Sequence, residues 1–407
     1  MVKLGALHVL GLALAMCLGV HASPSSFHDR TGGKQVRHKG CPPFTRGTFV
    51  IDSYQLYPEN ADWDEESCVV WFGSLQPPLT PDRDSILFNA TVGIYDPYAD
   101  KMLQILEFPG SSHTGKVHIG GVARDPYTGL ISILTDSANP WITAGADVSG
   151  DHLIMKYDPY AKTLLWTLNI TALTQGRYGG FQDVETDARG NTYIVGTWPG
   201  TIVRADRFGH AVVPWYLPSP LPPTTTKGFG GLAGVRNTDI LLSNDGDGQI
   251  YRFDMRAAQG TPVKVPMSPP VLYDDTDAIY LPPKYGGTVL LVASNFHGVQ
   301  VLRSRDRKWR TAEYLGTIAR PNGTLYDGGA VTAVTQMGPN AVYMIVDWID
   351  FPFVPGTVAG PRRLFPMPDI TGEVEALLRG VIMLKIVLVC IRWRMTNFNV
   401  CQKHSRL

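Results

Sequence analysis

Residues 192–206 read TYIVGTWPGTIVRAD: a run of β-branched and aromatic side chains, the turn Trp198-Pro199-Gly200, then a second such run. Two β-favouring runs joined by a short glycine-containing turn specify a β-hairpin. The figure returns at 240–254 as ILLSN-DGDG-QIYRFD and at 290–304 as LLVASN-FHG-VQVLRS. Working outward from these hairpins, six units align. They open as YPENADWD at Tyr57, HIGGVARDP at His118, GGFQDVETD at Gly179, FGGLAGV at Phe229, DDTDAIY at Asp274 and YDGGAVTAV at Tyr326. Their start-to-start spacings of 45 to 61 residues are near the period of four-stranded propeller blades. A smaller repeat, YDPYA at 95–99 and again at 157–161, supports the alignment. No unit carries a long apolar stripe of period 3.6, which argues against a helical repeat. The chain is therefore read as all-β, a six-bladed β-propeller over residues 48–370. Residues 48–55, TFVIDSYQ, are a spare strand that completes the sixth blade and closes the ring.

Composition agrees. Of 407 residues, 44% are hydrophobic and 18% charged, with 42 Gly and 31 Pro, a balance that favours short strands and turns. A net charge of zero leaves no basic footprint for nucleic acid. That neutrality hides a split. Residues 23–378 hold 29 bases against 36 acids, a mildly acidic body between two basic ends.

The ends read separately. Lys3 precedes an apolar run over 4–20, and Val20-His21-Ala22 places small residues at a cleavage site, so 1–22 is a secretory signal peptide. The body has no segment apolar and long enough to span a membrane. Secretion makes Asn89, Asn169 and Asn322 candidate N-glycosylation sites and favours a Cys41–Cys68 disulfide tying the N-terminal segment 23–47 to the first unit. The tail 371–407 changes composition after about residue 379. It reads as a basic amphipathic membrane contact or as a translated intron or frameshifted end; the second reading is preferred and no function is assigned to it.

In a propeller the unit starts and the tips of the second-to-third-strand hairpins converge on one mouth of the channel. The starts supply Glu59, Asn60, His118, Gln182, Asp183 and Asp277; the tips supply Trp198, Asn244, Asp245, Asn295, Phe296, His297 and Trp348. Paired glycines such as Gly120-Gly121 and Gly230-Gly231 fit strands crowding a narrow channel. Taken singly, most of these residues suit structure: carboxylates bonding neighbouring backbone N–H groups, tryptophans packing between blades. Together they make the expected ligand site, since a channel mouth is the default cavity. The sequence has no G-x-S-x-G elbow, no H-E-x-x-H and no paired C-x-x-C, and Asp245-Gly246-Asp247-Gly248 lacks the closing glutamate of an EF-hand.

The opening 59–64, Glu-Asn-Ala-Asp-Trp-Asp, resembles the start of the gluconolactonase and senescence-marker lactonase family. That resemblance implies a divalent metal at Glu59, with Asp277 in place of the family's catalytic aspartate; the family's asparagine ligand is replaced by Gly230-Gly231-Leu232. Over roughly residues 45–375, the YPEN, HIGG and GGFQDVE motifs together are similar to a fungal family of secreted propellers from trichothecene biosynthesis clusters, to whose superfamily a yeast skin allergen belongs. This implies a role in trichothecene biosynthesis or in virulence on plants, and a small apolar or lipid-like ligand, without an implied reaction. The expectation is a non-catalytic secreted binding propeller with no cofactor. The alternatives are a metal-dependent lactonase or ester hydrolase using Glu59 and Asp277, and a scaffold for a host protein.

Overall fold

Each unit opening read from the sequence begins the innermost strand of an antiparallel sheet. The computed structural model describes residues 40–74, 90–236, 238–270, 275–348, 354–355 and 360–380. After β1 (Phe49–Asp52) the first sheet is β2 (Pro58–Asp64), β3 (Val69–Ser74), β4 (Val92–Asp96) and β5 (Lys101–Leu106). The second is β6 (Val117–Arg124), β7 (Ile131–Ser137), β8 (Leu153–Asp158) and β9 (Thr163–Asn169). The third is β10 (Gly179–Thr186), β11 (Thr192–Trp198), β12 (Thr201–Ala205) and β13 (Val212–Tyr216); the fourth is β14 (Phe229–Val235), β15 (Asp239–Asn244), β16 (Gln249–Asp254) and β17 (Val263–Lys264). The fifth has five strands: β18 (Met267–Ser268) lies parallel to β22 (Ala312–Ile318), outside β19 (Thr276–Tyr280), β20 (Val289–Ser294) and β21 (Gly298–Arg303). Two ladders remain, β23 (Gly329–Met337) with β24 (Ala341–Trp348), and β1 with β25 (Leu364–Met367).

The fold is thus an all-β propeller. Six innermost strands follow one another round the axis: β2, β6, β10, β14, β19 and β23, which packs back on β2. Outermost strands such as β5 and β9 are largely exposed, while β3, β7, β11 and β20 are buried throughout. Core lies between facing sheets, as where Trp71 and Val92 of the first meet Ile119, Ile133 and Tyr157 of the second.

The expectation of six like blades is corrected. Among the described residues five sheets have four or five strands, and the closing region is two two-stranded ladders. Strand β24 forms no ladder with β25: Trp348 packs edge-on against Phe365, and a single Tyr343–Asp369 bridge lies just past β25, with Met344 N donating to Pro368 O at 3.0 Å and Ile370 N to Val342 O at 2.9 Å. The cause is chemical. Even-numbered residues of this segment turn their backbone N–H toward β24, and Pro366 and Pro368 have none to give.

Closure itself follows the sequence. The spare strand pairs antiparallel with β25, Phe49 opposite Met367 and Ile51 opposite Phe365. A second clasp lies just upstream. Cys41 and Cys68 form a disulfide, tying residue 41 to the β2–β3 turn. Phe44 N donates to Asn340 Oδ1 at 2.7 Å, and Asn340 Nδ2 returns a bond to Phe44 O at 2.8 Å. The Phe44 ring packs edge-on against Phe49 and Tyr98. At the other end residues 371–380 are helical, with Val374 buried and Lys284 Nζ 3.0 Å from Glu375. The expected limits 48 and 370 therefore fall inside the folded body. The signal segment 1–22 and the tail beyond 380 lie outside the described residues.

Replacing both cysteines (Cys41→Ser with Cys68→Ser) should lower stability by about 2–4 kcal/mol, because a 27-residue loop is released in the unfolded chain. Denaturant unfolding reads this directly; an unchanged midpoint would mean that the clasp contributes nothing.

Candidate functional site: an axial cavity

The inner strands begin at one mouth of the channel, here called upper, and end at the lower mouth. Register places hairpin tips beside the strand starts as expected: Gly179 opposite Trp198, Phe229 opposite Asn244, Thr276 opposite Ser294, Gly329 opposite Trp348. The upper end is tightly built. A Cβ on Gly120 would lie 2.5 Å from Phe181 O, and one on Gly231 2.5 Å from Ile279 N, so only glycine lets these strands approach.

The residues gathered there are mostly committed to the fold. Trp198 and Trp348 are buried; Trp348 Nε1 donates to Asp327 O at 3.0 Å. His118 is buried beside Trp141, and burial lowers its pKa to about 4. Asp245 pairs with Lys227 at 2.5 Å. Asn295 donates to Asp277 Oδ2 at 2.8 Å and to Val331 O of the next inner strand. Asp275, which the sequence reading passed over, clamps its hairpin: it accepts from Ser294 Oγ at 2.6 Å and Phe296 N at 2.8 Å, with His297 Nδ1 at 3.1 Å. Asn244 Oδ1 accepts from Gly246 N within its own turn. Gln182 is half-buried, and Phe296, 84% exposed, projects from its hairpin tip.

Glu59 and Asp277 are the residues to which the lactonase resemblance gives a metal role. Burial, then the charges of Asp277, Asp347, Asp136 and Asp183, push the Glu59 carboxyl well above its usual range. Asp277 already accepts from Asn295 and from Ala278 N. Among the described residues no three His, Cys, Asp or Glu side chains are placed to hold a metal ion.

A cavity lies along the axis. A space of about 260 Å³ follows the axis toward the lower mouth, near the small end of the ~300–1,000 Å³ typical of ligand pockets. Of the expected site residues only Asn60 and Asp183 line it. Side-chain size shapes this space. Ala61, Ala123, Ala233, Ala278 and Ala333 contribute one small residue from each of β2, β6, β14, β19 and β23, leaving the axis open below the crowded end. Trp63, Leu232, Ile279 and Val334 add apolar wall.

The polar wall is acidic. Asp62 accepts from Arg124 N of the second sheet at 2.7 Å and from Trp63 N at 2.8 Å. Asp183 accepts from Leu232 N of the fourth sheet at 3.0 Å, from Val184 N at 2.9 Å and from Asn60 Nδ2 at 3.2 Å. Glu185 accepts from Gly234 N and Thr186 N, both at 2.8 Å. These carboxylates staple neighbouring inner strands, while Asp62 and Glu185 also keep a partly exposed side toward the cavity. Burial dominates their ionisation: Asp62 rises to about 7, Asp183 to about 8, and Glu185 rises as well, each held back by its backbone donors. A signal was present in the sequence. Asn60 and Asp62, like Asp183 and Glu185, are two residues apart on an inner strand.

Comparison with known proteins follows from this geometry. No family model matches the chain. It is 34% identical over 361 residues to "Trichothecene biosynthesis protein 14" of Trichoderma arundinaceum, spanning 85% of this chain and 93% of that one. The chain belongs to the trichothecene biosynthesis protein 14 family. "Core trichothecene cluster (CTC) protein 14" of Fusarium sporotrichioides is 30% identical over 353 residues, 83% of this chain and 88% of the relative. Among solved structures, the major allergen Mala s 1 of Malassezia sympodialis superposes with a TM-score of 0.64 at 16% identity, over 80% of this chain and 96% of the allergen. At that identity the likeness concerns the propeller fold alone.

The remaining expected sites divide. Asn169 and Asn322 are exposed, and Asn89 lies outside the described residues. For this family member the buried carboxyls also set a pH dependence. An unfolded aspartate titrates near pH 3.9, so between about pH 4 and 8 the folded protein holds more protons than the unfolded chain. Stability from these groups is full below that window and falls as pH rises through it. Asp183→Asn should flatten the decline of melting temperature over that range relative to the parent protein; parallel pH profiles would refute the assignment.

Proposed function

We propose that this family member serves trichothecene biosynthesis as a secreted, six-bladed binding propeller, holding a compact, largely apolar, oxygenated molecule in the axial cavity. In this reading β23, β24, β25 and β1 make up a divided closing blade. The observation that carries the proposal is the alanine-lined cavity on the axis of a chain similar over nearly its whole length to proteins named for that pathway. Its size suits one small polycyclic molecule, and its mixture of apolar wall and few oriented polar groups is that of a small-molecule site. Secretion is supported by the apolar run behind Lys3, by the Cys41–Cys68 disulfide, which calls for an oxidising compartment, and by exposed acceptors at Asn169 and Asn322.

Calorimetric titration of the secreted protein with trichothecenes tests the reading. Ala123→Leu narrows the cavity and should weaken binding at least tenfold, about 1.4 kcal/mol, with the fold intact by circular dichroism. Equal affinity in that variant would place the ligand outside the cavity; no binding by the parent protein would remove the proposed function.

A further inference from the structure

Resting on the binding function proposed above, we infer that the lower cavity selects ligands presenting free hydroxyl groups and rejects the same skeleton when those hydroxyls are missing or acylated. The argument concerns which hydrogen-bonding roles the wall has left to offer. Its amide and guanidinium groups are each engaged within the protein. Asn60 Nδ2 donates to Asp183 Oδ1 at 3.2 Å. Gln336 Nε2 donates to Gly338 O at 2.9 Å. The Arg124 guanidinium is turned to Asp64 at 2.8 Å and Glu66 at 3.0 Å, with its side chain 5% exposed.

Toward the cavity stand the part-exposed carboxyls of Asp62 and Glu185, beside the hydroxyls of Tyr127 and Tyr280, which can donate or accept. Each carboxyl oxygen takes one backbone N–H, which fixes its orientation. A carboxylate oxygen has two acceptor sites, so a second lone pair stays available on each. Once the pH is high enough to ionise these carboxyls, Asp62 having been raised to about 7, they are oriented acceptors, and a ligand must bring donors to them. A hydroxyl does; an ester oxygen has no hydrogen to give and would face the acceptors with its own lone pairs. Binding it would desolvate the carboxylates without return, the arrangement by which sites built for a hydroxyl reject analogues lacking one. The preferred ligand is then the alcohol stage of a compact apolar skeleton, the form an acyl-transfer reaction would consume.

Three probes decide the matter by calorimetry with the full secreted protein at a pH well above the raised Asp62 value of about 7: a polyhydroxylated trichothecene, its peracetate, and the hydroxyl-free parent trichothecene. The last is smaller than the alcohol and separates hydrogen bonding from size. The alcohol should bind at least about tenfold more tightly than either. Glu185→Gln, which exchanges one acceptor oxygen for a donor, should shrink that ratio. Peracetate or parent skeleton binding as tightly as the alcohol overturns the selectivity while leaving the binding function standing. Binding by none of the three overturns both. The parent protein's ratios decide even where Glu185→Gln does not fold.

Discussion

A sheet arranged as a ring must join its last strand to its first, or it presents two open edges. Everything else in this protein depends on that closure. Two clasps secure it: the antiparallel pairing of Phe49–Asp52 with Leu364–Met367, and the upstream strap, in which Asn340 holds both backbone groups of Phe44 and the Cys41–Cys68 disulfide reaches the first sheet. The clasps compensate a local weakness. Pro366 and Pro368 deprive β25 of donors toward β24, so closure rests on β1 and the strap more than on a continuous fourth ladder. Burying Phe44, Phe49, Phe365 and Val374 in one cluster adds an apolar seam across the same junction.

Once the ring is closed, its axis is defined by how neighbouring inner strands meet. At the upper end they approach until only glycine fits. Further down, Asp62, Asp183 and Glu185 span the gaps by accepting backbone N–H groups from the next strand. The same side chains thus serve structure and site. Their outer lone pairs hold the ring, and their inner faces give the cavity its acidic wall. Fully buried Lys156, bonded to Ser132 Oγ and Thr192 Oγ1, supports the second and third sheets by another polar route, and burial lowers its pKa to about 8.

Much of this was legible in the residues. Hairpins such as 192–206 fix strand, turn and strand through local chemistry, and the unit starts and tips do share a mouth. Cys41 and Cys68 were the two cysteines available to the folded body. The partners of the residues at that mouth were harder to read. His297 was singled out without Asp275, its partner across the hairpin, because Asp275 lies 22 residues away in sequence. Asp62 and Glu185 carry no local motif of the kind that marks Glu59 and Asp277. The alanines at 61, 123, 233, 278 and 333 were each unremarkable singly, since a small residue has meaning only against what faces it.

The sequence by itself determined the all-β propeller class, the spare strand that closes the ring and the end of each strand where its turns would gather. These depend on side-chain period, turn chemistry and cysteine count, all of which act over a few residues or through simple complementarity. Only the tertiary structure decided where the space is. A cavity is the volume left when six strands from distant parts of the chain have met, and its location is set by differences in approach of an ångström or so. Glycine pairs let the strands crowd at one end, and five alanines separated by tens to hundreds of residues line the axial space toward the other.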